Sequence, residues 1–198
     1  MKERAKLFLQ IGLYWIVFFI VSRVVFLLYN FNQTSSLHLI DILTLNFLGL
    51  RMDLAMASYW LILSGLLLTV SVLTNQKIIY YLNNSIVTAL LILSTCLVVA
   101  DLELYKHWGF RMDTTPLLYA GREGIASISP CSLVLLLIVF GTLLILFLWI
   151  YYTYISKQFL RLYPIKPGWA VPMFLVTGAL FIPIRSSFSV APLNTGVV

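Results

Sequence analysis

The sequence predicts an all-α integral membrane protein with five transmembrane helices, and three observations lead there. Hydrophobic residues fill 61% of the 198 positions and charged residues 10%, with a mean hydropathy of +0.98. That leaves too little polar surface to clothe a water-soluble core. The apolar residues also gather into runs close to the roughly 20 residues that a spanning helix requires, and no alternating pattern marks a barrel. Finally, the basic residues sort by membrane side, so the net charge of +6 reads as topology and not as a nucleic-acid surface.

Lys2, Arg4 and Lys6 precede the first span, residues 7–29. It is longer than the apolar core of a signal peptide, roughly 7 to 15 residues, and no A-x-A site follows, so it is read as a retained anchor. Arg23 lies inside this run, towards its far end. It is expected to snorkel to the headgroups, with pairing to an acid of another helix as the alternative.

Residues 35–49 are expected to form a short helix on the membrane surface. Ser35 or Ser36 would cap it, His38, Asp41 and Thr44 would share one face, and Gly49 would end it. The second span, residues 52–73, opens beside Arg51 and Asp53, and a brief turn leads to the third, residues 80–100.

Residues 101–127 form the longest polar interval and carry seven of the chain's twenty Lys, Arg, Asp and Glu residues. Leu104, Tyr105, Trp108 and Phe110 interleave with those charges, as in a segment lying along the interface. Thr115-Pro116 resembles the start of a further short helix ending near Gly121. Ser129 and Pro130 then supply an N-cap and first helical residue for the fourth span, residues 131–154. A basic connection leads to the fifth span, residues 169–184, which has Pro172 near its start and Pro183 near its end. A tail, 185–198, follows.

With the N-terminus inside and the C-terminus outside, the inner segments hold Lys2, Arg4, Lys6, Lys77, Lys157, Arg161 and Lys166, against Arg51, Lys106, Arg111, Arg122 and Arg185 outside. The excess of Lys and Arg within the short inner loops favours this orientation. Cys96 and Cys131 fall near the outer ends of their spans and are read as unpaired thiols, a disulfide between them being geometrically conceivable.

Chemical motifs are absent: the chain has no phosphate-binding loop, no H-E-x-x-H and no G-x-S-x-G. His38 and His107 are too isolated to argue for a metal. Asn32-Gln33-Thr34 and Asn83-Asn84-Ser85 fit the glycosylation pattern, which has meaning only on a eukaryotic secretory route. One echo is more specific. Gly49-Leu50-Arg51-Met52-Asp53 recurs as Gly109-Phe110-Arg111-Met112-Asp113. Arg51 and Arg111 could fork onto a lipid phosphate. The favoured reading is structural: an ion-pair network of Arg51 and Arg111 with Asp53, Asp101, Glu103 or Asp113.

The segments ADLELYKHWGFRMDTTPLLYAG, FLGLRMDLAMASYW and IPIRSSFSVAPLNTGVV resemble the N-terminal membrane portion of bacterial lipoteichoic acid synthase-like proteins, of the sulfatase and alkaline phosphatase superfamily. The resemblance covers the chain from about the second span to Val198. It implies a five-helix anchor in the bacterial cytoplasmic membrane, joined through the tail to an extracytoplasmic domain that this chain does not contain. That domain would hold the nucleophile and a divalent metal, and would transfer a phosphoglycerol- or phosphoethanolamine-type group from a lipid or cleave a related ester. No catalytic residue or metal ligand is expected in this chain. Its partners would be membrane lipids, anionic or zwitterionic, and its own soluble domain, with no nucleic acid. The alternative is a self-contained transport or assembly subunit, which would need an ionisable line through the helix centres. Only Arg23 is charged well within a span; Asp53 stands at the very start of the second.

Overall fold

A computed structural model describes residues 2–31, 38–74, 76–109, 129–163 and 166–185. These residues are helical or in turns, and no strand occurs among them. The helices are α1 (Lys2–Tyr29), α2 (Leu39–Val70), α3 (Gln76–Trp108) and α4 (Pro130–Ile150). Beyond α4 the chain winds through a π-turn, Tyr151–Ile155, and a 3₁₀ stretch, Ser156–Arg161. A 3₁₀ turn at Pro167–Trp169 then leads into α5 (Ala170–Gly178) and α6 (Phe181–Arg185). Five helical units are long and apolar enough to cross a membrane: Lys2–Tyr29, Phe47–Val70, Gln76–Lys106, Pro130–Arg161 and Pro167–Arg185.

Two expected boundaries are absent, and each has a physical reason. Gly49 does not end a surface helix; α2 runs through it from Leu39 to Val70. Unbroken helix keeps the backbone donors and acceptors paired at the edge of the hydrocarbon, where unpaired groups are costly. Likewise Asp101–Trp108 continues α3, with Asp101, Leu102 and Glu103 buried on its inner face. At 32 and 33 residues these helices are each about 48–50 Å long. Both exceed the roughly 30 Å hydrocarbon core. The helix α3 stops at Gly109, whose φ of 72° puts it in the left-handed region, and whose N–H bonds the Tyr105 carbonyl at 2.9 Å. That is a glycine C-terminal stop.

The glycines of the two Gly-x-Arg-Met-Asp elements therefore do different work. Gly109 turns the backbone, while Gly49 stays within a helix and makes room for a side chain. The remaining parts of the expected interfacial segments, 35–37 and 110–127, lie outside the described residues, as does the tail 186–198.

The fourth and fifth spans follow their sequence signals closely. Ser129 has extended backbone and its hydroxyl accepts from the Ser132 N–H at 3.2 Å, with Pro130 opening the helix. The fifth span is broken by Pro183, which has no N–H to give the Ala179 carbonyl and crowds it with its ring. That carbonyl accepts from Ile182 N at 3.1 Å instead, and the helix restarts at Phe181.

Lipid tails are as apolar as leucine, so helix association here depends on packing and hydrogen bonds more than on escape from water. The packing core is a face of α1 formed by Leu7, Ile11, Trp15 and Phe18, all fully buried. It meets Leu61 and Leu68 of α2, Val87 and Leu91 of α3, and Phe147 of α4. Phe18 and Phe147 make an edge-to-face pair with centroids 5.0 Å apart, a favoured aromatic arrangement. Between Leu61 and Leu68 on α2, a methyl group at Gly65 would stand 2.7 Å from Thr177 and 2.9 Å from Phe8. The bare backbone lets α1, α2 and α5 approach one another closely.

Candidate functional site

Three groups of buried polar side chains stand out, and the contacts between helix ends show which lie together. At one end the start of α1 meets the end of α2 and the chain beyond α4. At the other end the last turns of α1 and α3 meet the first turn of α4.

At the second end, Arg23 of α1 forms an ion pair with Asp53 of α2 at 2.5 Å, both side chains being largely buried. The guanidinium lies against Gly49, one turn before Asp53, in the space a Cβ would occupy. Of the two expectations for Arg23, the structure has the second: it pairs with an acid of another helix, Asp53, in place of the favoured snorkelling. Asp53 takes Arg23 as its ion-pair partner, not Arg51, which is exposed.

A short distance along, Tyr29 donates its hydroxyl to the Glu103 carboxylate. Lys106, one turn beyond Glu103, lies 3.8 Å from that carboxylate and donates to Ser132 Oγ at 3.1 Å. Its ammonium also stands 5.8 Å from the centre of the Tyr29 ring, within cation–π range. Phe26 and Tyr105 pack edge to face just below, 5.0 Å apart. These contacts tie α1, α3 and α4 together.

The candidates separate accordingly. Arg23, Asp53, Asp101 and Glu103 come to one end of the bundle, and Asp101 is buried there. Arg51 is exposed on α2. Arg111 and Asp113 lie outside the described residues. Tyr29 and Ser132 escaped the sequence reading, and Lys106 was read only as an outer basic residue, although its spacing by three from Glu103 on one helix was a usable signal.

The opposite end is fastened by Arg4, only 2% exposed. Its Nε donates to Ser71 Oγ at 3.1 Å, Nη2 to the Ser71 carbonyl at 3.2 Å and Nη1 to the Tyr163 carbonyl at 3.0 Å. Three acceptors on two chain segments match the planar fork of a guanidinium. Sequence alone shows Arg4 as one more basic residue of the N-terminal cluster.

The third group lies between α3 and the end of α4. Asn83 Nδ2 donates to the Tyr151 hydroxyl at 2.7 Å, and that hydroxyl and Ser156 Oγ both donate to Asn84 Oδ1 at 2.9 Å. Asn83 and Asn84 are buried in a helix, so their reading as a glycosylation element is corrected. A pair of adjacent amides in an apolar run was itself the signal for a buried polar contact. Asn32 lies outside the described residues.

Cys96 and Cys131 are unpaired and exposed. Among the described residues, no three His, Cys, Asp or Glu side chains gather as a metal-binding group. The charged residues among them sit towards the two ends, and the third cluster is neutral. Such an arrangement can hold helices in register and present cations at a surface. Comparison with family models, curated proteins and solved structures finds no match to this chain.

Proposed function

We propose that the bundle is the membrane anchor and lipid-presenting domain of an extracytoplasmic enzyme of the sulfatase superfamily, lipoteichoic acid synthase-like, in a bacterial cytoplasmic membrane. The observation that carries the anchor reading is the distribution of charge. Arg4 fastens one end, Arg23, Asp53, Glu103 and Lys106 fasten the other, and no Asp, Glu, Lys, Arg or His side chain among the described residues lies between. A transport pathway would place ionisable groups along the axis; an anchor needs them only at its rims. The three segments that resemble the synthase-like proteins supply the enzyme class.

On this reading the N-terminus is cytoplasmic and the Arg23–Asp53 end faces outward, towards the soluble domain. A divalent metal and the nucleophile belong to that domain, which acts as a transferase or hydrolase on a phosphate or sulfate ester. The exposed guanidinium of Arg51, joined by Arg111, meets the headgroup of an anionic or zwitterionic phospholipid in the outer leaflet. The transport or assembly alternative draws its support from the buried amide cluster around Asn84, which is polar but carries no charge.

The test uses the protein translated from its whole reading frame, reconstituted in vesicles of phosphatidylglycerol or phosphatidylethanolamine. Arg51→Gln with Arg111→Gln is expected to leave the folded yield unchanged and to lower lipid headgroup turnover by about tenfold, the effect of losing charge-assisted contacts of about 1.4 kcal/mol. Unchanged turnover would remove the headgroup role. A lost folded yield would reassign both arginines to fastening, and no turnover by the unmodified protein would remove the enzyme reading.

A further inference from the structure

The end of α4 changes its winding twice within a few residues, and the amide cluster sits where it does so. In an α-helix, residues five apart lie about 140° apart around the axis. A π-turn closes i→i+5 hydrogen bonds and brings such residues into adjacent turns of one face. Here the Ser156 N–H bonds the Tyr151 carbonyl, so Tyr151 and Ser156 face α3 together. Asn84 Oδ1 accepts from both of them at 2.9 Å. Regular α winding at this length of chain would turn Ser156 away and leave Asn84 with one donor at most.

The cluster also bears a cost in this winding. The Tyr151 phenol has one proton and gives it to Asn84, so Asn83 must present its amide N–H₂ to the phenol oxygen. Asn83 Oδ1 is thereby left buried with no hydrogen-bond partner. A neutral network that is incompletely satisfied favours its register less than a complete one would. Nothing charged locks it.

Downstream, the 3₁₀ stretch ends at Leu162, whose backbone is extended, and the next carbonyl, that of Tyr163, accepts from Arg4. The register of the π-turn therefore sets where the Arg4 acceptor stands. It also sets where the chain leaves for α5.

We propose that the π-turn Tyr151–Ile155 is a two-register latch, held by Asn84, whose return to α winding turns the following segment by about 100° and releases the Arg4–Tyr163 bond. The basic end of the bundle and the entry to the fifth span then move as one unit with the latch. The Arg23–Asp53 end, on the far side of the core, does not take part.

Amide hydrogen exchange on the full protein in lipid nanodiscs tests this. Asn84→Leu is expected to speed exchange about tenfold across residues 151–163 and around Ser71, with the turn carrying Arg23 and Asp53 unchanged. Deleting Thr153, an exposed residue of the π-turn, removes the extra residue that the π winding accommodates. Ser156 then lies four positions past Tyr151, on the same α-helical face, so the deletion should restore slow exchange in the Asn84→Leu background. Acceleration confined to α3, acceleration spread equally to the Arg23–Asp53 end, no acceleration, or failure of the deletion to restore slow exchange would each overturn the latch. Ser156→Ala removes one of the two bonds at little cost to packing. It is read by the same criteria where Asn84→Leu does not fold.

Discussion

Asp53→Asn or Arg23→Gln, made singly, is expected to destabilise the bundle by about 3–5 kcal/mol, the range for removing one member of a buried ion pair. Neutral interhelical hydrogen bonds in membranes average only about 0.6 kcal/mol, so no single bond of the Asn84 cluster should approach this effect. The pair at 2.5 Å joins α1 to α2 where both are largely buried, and either replacement leaves the opposite charge in a poorly solvating place. The double variant should lose less than the sum of the two singles, because the second change relieves the charge imbalance left by the first. Gly49→Val supplies an independent check. A side chain there would occupy the space of the Arg23 guanidinium, so it should reproduce most of the Arg23→Gln loss without touching either charge. Unfolding in mixed micelles of increasing SDS fraction measures all four.

Arg4→Ala is expected to cost about 3 kcal/mol, since hydrogen bonds from a charged donor are worth about 1.5–3 kcal/mol each and three such bonds do not add in full. Ser71 Oγ keeps its own bond to the Leu68 carbonyl at 2.6 Å, so the loss falls chiefly on the Ser71 and Tyr163 carbonyls. Arg4→Lys should recover part of it. An ammonium on a flexible stem keeps the charge but cannot reproduce the planar fork. The same unfolding assay separates the two variants, and equal losses for alanine and lysine would show that the fork geometry is what matters.

The spans were legible because hydropathy is a local property: a run of apolar residues of sufficient length is visible without knowing its neighbours. The cap was legible for the same reason, and Pro183 was visible although the break it makes in the fifth span was not expected. Ser129-Pro130 and Pro183 act through their own backbone and that of residues within one turn. The interior continuity of α2 was not legible. Gly49 is a reasonable helix end by local preference, and only the guanidinium of Arg23, 26 positions earlier in the sequence, shows why a bare backbone is useful there.

Partner choice among charged side chains was hidden for a related reason. Arg51 is two residues from Asp53, yet residues two apart on a helix do not face each other; Arg23 reaches Asp53 from another helix. Arg4 illustrates the converse. A basic residue beside Lys2 and Lys6 reads as a topological signal, and its burial follows from acceptors at Ser71 and Tyr163 that no local pattern connects to it. Tyr151 and Ser156 meet at Asn84 only through a π-turn, whose winding no hydropathy pattern marks.

Side-specific labelling of single cysteines most directly tests the central claim, that five spans alternate through the membrane with a fastened polar cluster at each end. In a background of Cys96→Ser and Cys131→Ser, cysteines placed at Lys77, Lys157, Lys106 and Arg185 are exposed in turn to a membrane-impermeant thiol reagent on intact cells. The predicted result is that Lys106→Cys and Arg185→Cys react from outside, while Lys77→Cys and Lys157→Cys react only after permeabilisation. Reaction of Lys106→Cys and Lys157→Cys from the same side would contradict it.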